Sequence, residues 1–242
     1  MFAKRTHTEV RLIRAATKGH HAWYRNKFMW LFIFLLGVLL YYPYSLGSNF
    51  RYYSYRALFC VVILFTVYAL SMRRSLLVMA LVLAAPEIIQ HTVYAADFRS
   101  PIAVLNSFLA LAFDVFIVVV IFRRIFGKPQ ADSESIFGAL CIYLFVGFSF
   151  SSIFQLDAYL QPRAFYLDPT LNNHSAFNRL DAVYYSFASM TSLGAAGITP
   201  VTGEARLLTI TEALLGVLFL AVLVSRLLSA YGVEAASEKV EE

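Results

Sequence analysis

The sequence predicts an all-α integral membrane protein with six transmembrane helices and one short helix that enters the membrane only partway. Its composition is the first observation: 60% of the 242 residues are hydrophobic and 14% are charged, whereas soluble domains average roughly 45–50% apolar and about 25% charged residues. The second is the arrangement of the apolar residues in long runs. Together they exclude a soluble domain, a disordered chain, a coiled coil and a disulfide-stabilised mini-protein.

Six apolar runs supply the predicted spans, because a run of about 20 residues crosses the hydrocarbon core as a helix. They cover residues 28–44, 57–72, 75–94, 102–122, 135–156 and 207–228. Ionisable groups interrupt three of them: Glu87 and His91 in the third, Asp114 in the fourth, and Glu212 and Arg226 in the sixth.

Another uncharged stretch, residues 182–203, does not fit a full span because three glycines and Pro200 interrupt its second half. Residues 181–192 would instead form a helix of about 18 Å, roughly half a membrane. Non-helical backbone persists at membrane depth only where it is buried in protein or lines a water-filled path. A half-helix followed by glycine-rich chain therefore indicates a pore or a binding site.

The distribution of positive charge predicts the orientation. Six spans put fourteen of the twenty Lys and Arg residues on the side of the two termini and six on the other side. By the positive-inside rule, both termini lie in the cytoplasm and the protein is a multi-pass protein of the inner or plasma membrane. Since topology accounts for the net charge of +5, nucleic acid is not expected as a partner.

Residues 185–200 read Tyr-Ser-Phe-Ala-Ser-Met-Thr-Ser-Leu-Gly-Ala-Ala-Gly-Ile-Thr-Pro and resemble the pore loop of potassium channels. Residues 205–224 resemble the inner helix of bacterial six-span members of that superfamily. The resemblance covers about residues 134–230 and implies a tetrameric pore-loop channel architecture. Four half-helices would point their negative ends at one axis, and backbone carbonyls would replace the hydration shell of a cation. The implied partners are the lipid bilayer, three further copies of the chain in a C4 homotetramer, and the permeant cation, K⁺ or Na⁺, with no other cofactor.

On this basis the chain divides into four regions. Residues 1–27 are a basic cytoplasmic segment, which either lies on the membrane surface as a helix or is a partly disordered arm. Residues 28–125 form a peripheral four-helix bundle, which resembles a voltage sensor but is poor in arginine. Residues 126–231 form the pore domain, and residues 232–242 form a short acidic tail.

The candidate selectivity filter departs from the family pattern in its outer half. That pattern implies Thr, an aliphatic residue, Gly, Tyr, Gly and Asp, where this chain has Ser192, Leu193, Gly194, Ala195, Ala196 and Gly197, preceded by Thr191. Ala195 lacks the bracing ring, and Ala196 replaces a glycine whose backbone conformation costs an L-residue about 1–2 kcal/mol. We expect the inner cation sites to persist and the outer ones to be widened or lost. Weak selectivity and a non-conducting pore are both compatible with this change.

Glu212 and Gly216 are the pore-associated or gating candidates on the sixth span. Glu212 either attracts cations near the pore or ties the inner helix to the half-helix as a neutral, hydrogen-bonded group, since charge at membrane depth costs roughly 2.5–3.5 kcal/mol. Gly216 either hinges the helix or allows close helix packing.

Glu87, His91 and Asp114 are expected to form a polar cluster that fixes the bundle, with a proton-linked or metal site as the alternative. No metal site is predicted for Cys60 and Cys141, which lie in apolar runs. The fourth span has no arginine before Arg123 and Arg124, so steep voltage gating is not expected.

The sequence thus predicts passive cation conduction with altered or weak selectivity. The alternative is a non-conducting structural or regulatory membrane subunit. A secondary transporter is less favoured because no second broken span occurs in a matching repeat. An enzyme is not expected, because no nucleophile and base, phosphate loop or metal-spaced cluster is present and no catalytic residue is assigned.

Overall fold

A computed structural model describes residues 27–41, 43–44, 49–70, 74–92, 101–127 and 133–241. In this part of the chain it contains seven α-helices and two short strands. In chain order they are α1 (Lys27–Tyr41), α2 (Asn49–Leu70), α3 (Arg74–Thr92), α4 (Pro101–Phe126), α5 (Ser133–Leu160), β1 (Phe165–Leu167), α6 (Arg179–Met190), β2 (Ile198–Pro200) and α7 (Gly203–Glu241). Each of the six apolar runs falls largely within a helix. Of the basic segment, residues 1–27, only Lys27 is described, as the first residue of α1.

Two helices of the described residues are long and apolar enough to cross a membrane, over Glu134–Leu160 in α5 and Gly203–Ser225 in α7. They coincide with the fifth and sixth predicted spans. The apolar stretches Lys27–Tyr41, Tyr53–Ala69 and Leu76–Ala85 are shorter. Half of the apolar window of α5 is buried, against 11% of that of α7. Helix α5 is therefore the central element, and most of the apolar window of α7 is not covered by the chain.

The core joins the peripheral helices to α5. Leu31 and Leu35 of α1, Ile117 and Ile121 of α4, and Ile142 of α5 are each at most 3% exposed. Near the start of α5, the guanidinium of Arg124 lies 3.6 Å from the Glu134 carboxylate and 5.2 Å from the centre of the Phe28 ring. Because a partly exposed ion pair contributes only about 0–1 kcal/mol, burial of the apolar side chains holds the bundle to α5.

A second, smaller core lies beside α6 and is built from aromatic rings. Phe154 of α5, Phe165 of β1 and Tyr185 of α6 contact one another with ring centroids 5.0–5.7 Å apart and near-perpendicular ring planes. Such edge-to-face pairs add about 0.5–1.5 kcal/mol each to the burial of the rings. This cluster fixes α6 against α5.

Strands β1 and β2 pair antiparallel, with Phe165 opposite Pro200 and Leu167 opposite Ile198. The sequence did not predict them. Their pairing ties the chain that leaves the glycine-rich loop to the segment that precedes α6, so the loop is held at both ends.

Helix α6 has 12 residues and begins two residues before the predicted start. The reason is a capping box. Asn178 Oδ1 accepts from the amides of Leu180 and Asp181 at 2.8 and 3.1 Å, and Asp181 Oδ2 accepts from the Asn178 amide at 2.8 Å. At the other end of the chain, α7 runs for 39 residues through the predicted tail to Glu241.

Candidate functional site at the end of the short helix

The candidate site is the loop of residues 191–197, which leaves the C-terminal end of α6 and returns to β2. Residues 191–194 are exposed, and Leu193 keeps 76% of its accessible surface. Three positive φ angles shape the loop, 58° at Ser192, 81° at Gly194 and 79° at Gly197. Glycine adopts this conformation at little cost, so the two glycines set the two later bends.

Amides and hydroxyls of the chain cap the carbonyl end of α6. The Leu193 and Gly194 amides both donate to the Ala188 carbonyl, at 2.9 and 3.2 Å. The amide and the hydroxyl of Thr191 donate to the Phe187 carbonyl at 3.1 and 2.6 Å. These bonds satisfy carbonyls that a helix end leaves unpaired, and they fold the inner half of the loop back onto the helix.

The outer half of the loop, residues 195–197, is hydrogen-bonded to the segment before α6. The Gly197 carbonyl accepts from the Asp168 amide and from Asn172 Nδ2, each at 2.9 Å. The Ala195 carbonyl accepts from the Ile198 amide at 3.2 Å. Two carbonyls of the outer half therefore already have partners within the chain.

Asp168, whose amide donates to the Gly197 carbonyl, also places an acidic side chain near the loop. The Thr170 hydroxyl and the Thr170 amide donate to its Oδ1 at 2.7 and 2.8 Å, and these two hydrogen bonds lower the pKa of the Asp168 carboxyl. A lowered pKa keeps the group negatively charged at neutral pH.

Tyr184 of α6 braces the loop from the side. Its hydroxyl accepts from the Ala196 amide at 3.1 Å. Sequence reasoning did not single out Tyr184, because nothing in the spacing shows which of two adjacent tyrosines reaches the loop.

The conformational cost considered for Ala196 applies only if its backbone adopts the conformation of the glycine it replaces, and Ala196 has no positive φ angle. Within the described residues, Ser192 is the one non-glycine residue with a positive φ angle, and the last such angle of the loop falls on Gly197. The glycine thus takes the bend one position later, and Ala196 keeps an ordinary backbone conformation.

Glu212 lies between helices and is fully buried. Its Oε1 lies 2.5 Å from Ser186 Oγ on α6, and Ser186 Oγ lies 2.7 Å from the Gly147 carbonyl on α5. Of the two roles considered from the sequence, this position fits a tie between α7 and the half-helix.

Gly216 lies one turn further along α7, against the last residue of α6. A Cβ atom there would approach the Met190 carbonyl oxygen to 2.5 Å and Met190 Cγ to 2.7 Å. Close helix packing therefore requires a glycine at this position. Met190 O also accepts from the Tyr143 hydroxyl of α5 at 3.5 Å, so three helices meet where the loop begins.

The polar cluster expected from Glu87, His91 and Asp114 falls only in part on described side chains. Asp114 of α4 and Arg179 of α6 both line a cavity of about 50 Å³ between the bundle and the half-helix. Arg179 was not considered as a partner from the sequence. Glu87 and His91 lie on α3, but their side chains are outside the described part. Among the described side chains, no three His, Cys, Asp or Glu residues gather as a metal site requires.

Several residues that position the loop were not predicted from their place in the sequence alone. His174 Nε2 lies 2.8 Å from Asp181 Oδ2 and 2.9 Å from Asn178 Nδ2, at the start of α6. The spacing Asn-x-x-Asp at 178–181 is a capping signal that could have revealed this cluster. Asn172 had no such signal, since its partner Gly197 is 25 residues away.

Comparison with known protein families gives a match for the second half of the chain. Residues 136–232 match the model of a family described as "Ion channel". The matched segment contains most of α5, both strands, α6, the loop of residues 191–197 and the larger part of α7. No curated protein and no solved structure matches the chain.

This match supports assignment of the segment to the ion channel superfamily, a class of membrane transport proteins rather than enzymes. It agrees with the two membrane-capable helices, α5 and α7, which flank the short helix α6 and its loop in the sequence. Together they support an ion channel function for a membrane protein.

Proposed function

We propose that the protein is a passive channel for monovalent cations, K⁺ or Na⁺, with one pore formed by four copies of the chain. Residues 191–197 of each copy would line the narrow part of the pore. Six helices would cross the inner or plasma membrane with both termini in the cytoplasm. Helix α6 would enter from the outer face without crossing.

One observation carries this proposal: a 12-residue helix ends in an exposed loop between two membrane-capable helices, inside the segment that matches the ion channel family. A helix of this length spans about 18 Å, which is too short for a hydrocarbon core of about 30 Å. Because each chain has one such loop, a closed ion path needs several copies around a symmetry axis.

Weak selectivity follows from the engaged carbonyls of the outer half. A selective filter requires carbonyl oxygens that replace the water shell of the ion. The carbonyls of Ala195 and Gly197 already accept hydrogen bonds from Ile198, Asp168 and Asn172. Fewer carbonyls therefore remain for an ion in this half than in the inner half. The charged Asp168 would raise the local concentration of cations of either kind.

Flux from liposomes that contain only the purified protein tests the proposal. We expect the wild type to pass both K⁺ and Na⁺, and G194V to pass neither, because Gly194 has a positive φ angle, at which a β-branched residue is strongly disfavoured. The matched control is G203V, since Gly203 has open space around it and no positive φ angle. Absence of flux from the wild type under ionic gradients of either direction would favour a non-conducting structural or regulatory subunit.

A further inference from the structure

We infer that Glu212 is a neutral, protonated carboxylic acid that holds α7 against α6 and α5 through Ser186. This contact, the latch, positions the loop of residues 191–197. The inference rests on the proposed channel function for its effect on ions. Its structural part, a buried carboxylic acid between three helices, can be tested without conduction. Glu212 is thereby a positioning residue rather than a ligand of the permeant ion.

The count of hydrogens at Ser186 gives the protonation state. A hydroxyl has one hydrogen to donate, and a backbone carbonyl can only accept. Ser186 Oγ lies 2.7 Å from the Gly147 carbonyl oxygen and 2.5 Å from Glu212 Oε1. If Ser186 donates to Gly147, the hydrogen of the second bond has to come from Glu212. A protonated Glu212 satisfies both contacts, whereas a carboxylate leaves two oxygen atoms in contact without a hydrogen.

The surroundings of Glu212 favour the same state. Its Oε2 is buried and has no hydrogen-bond partner among the described residues, which is far more costly for a charged oxygen than for a neutral one. The phenols of Tyr143 on α5 and Tyr185 on α6 interact with it electrostatically. Neither phenol supplies the positive charge that would stabilise a carboxylate.

The latch reaches the loop through the end of α6. Glu212 and Gly216 are one turn apart on α7, and they contact Ser186 and Met190, which are one turn apart on α6. Met190 directly precedes the loop, and its carbonyl also contacts the Tyr143 hydroxyl. The Tyr143 ring lies 5.9 Å from that of Phe219, further along α7. A shift of α7 against α6 would therefore move the first residues of the loop.

Four variants separate this latch from general packing: E212Q, E212A, S186A and the control S149A. Glutamine keeps a donor for Ser186, whereas E212A and S186A remove the contact. Ser149 is also buried, but its hydroxyl donates at 2.8 Å to the Phe145 carbonyl of its own helix. All variants are studied as full-length protein. Their oligomeric state and thermal unfolding temperature are measured first and compared with those of the wild type, so that a loss of folding is recognised.

The first readout is the ratio of K⁺ to Na⁺ flux in liposomes. We expect E212A and S186A to change this ratio by about fivefold, the effect of losing one typical hydrogen bond. E212Q restores the wild-type ratio, and S149A retains it. If E212Q changes the ratio as E212A does, an ionised carboxylate is required and the inference is wrong. Wild-type ratios in E212A and S186A would also overturn it.

The second readout is the infrared carbonyl band of an un-ionised carboxylic acid, recorded at neutral pH. We expect this band in the wild type and S149A, and its loss in E212Q. If the wild-type and E212Q spectra show the same band, the acid is not Glu212 and the inference fails. Because this measurement needs no conduction, wild-type protein without flux would refute the proposed channel, while the band alone would decide whether the protonated latch exists.

Discussion

At the scale of single residues, the glycines of the helices differ in what surrounds them. A Cβ atom at position 216 would meet the backbone of Met190, whereas one at position 37 has nothing within 4 Å. We expect G216A to lower the free energy of unfolding by about 1–3 kcal/mol through overpacking. G37A is expected to raise it by up to about 1 kcal/mol, because alanine is the better helix former. Equilibrium unfolding in detergent micelles measures both, and equal stability of the two variants would contradict the described packing.

The brace from Tyr184 is a second property of a single residue. Its hydroxyl bonds the Ala196 amide at 3.1 Å, so Y184F should speed hydrogen exchange at this amide. One lost hydrogen bond of about 0.5–1.5 kcal/mol corresponds to roughly 2–10-fold faster exchange. The control is Y166F, which changes an exposed tyrosine of β1. Unchanged exchange of the Ala196 amide in Y184F would show that the brace does not form.

Single-residue properties were also the least predictable from sequence. The residue type at 196 indicated that the usual filter backbone is unfavourable there, but not which residue takes the positive φ angle instead, and this falls on Gly197. For Glu212 the sequence left two roles open. Burial against Ser186 favours one of them, and burial depends on how α7 is rotated against α6.

At the scale of elements, α4 allows a prediction about gating. Its basic residues, Arg123 and Arg124, lie in the last turn, and no Lys or Arg precedes them in the helix. Steep voltage dependence requires about 3–4 gating charges in each of four subunits. We expect the open probability in planar bilayers to change little with voltage. A steep increase on depolarisation would show that charges elsewhere in the bundle move across the membrane field.

The long helices were predictable because the hydropathy of the sequence determines where they lie. Each apolar run of the sequence falls largely within a helix, because burial of apolar side chains and satisfaction of the backbone favour helices in such runs. The start of α6 was misplaced because the Asn178 cap fixes it. Strands β1 and β2 were missed since each has three residues, and their pairing joins Phe165 to Pro200 across the half-helix. Local patterns carry little information about such contacts.

At the scale of the whole molecule, the open surface of α7 bears on assembly. Its apolar window is 11% buried within one chain, and its exposed side chains include Leu207, Ile210, Leu214, Leu218 and Val222. Packing of four copies around one axis would cover part of this surface, the remainder facing lipid. We expect native mass spectrometry from a mild detergent to give four copies in each particle. One or two copies would rule out a closed ring built from one loop per chain.

The most direct measurement is block of ion flux by a charged, membrane-impermeant thiol reagent in S192C. Ser192 is exposed in the loop, and cysteine changes its size little. The wild type is the control, since its two cysteines lie outside the loop. Cys141 is buried in α5 and Cys60 is half-buried in α2. If residues 191–197 line the ion path, the reagent abolishes flux through S192C from at least one side of the membrane and leaves wild-type flux unchanged. Full modification of the introduced thiol, verified by mass, with undiminished flux would contradict the account.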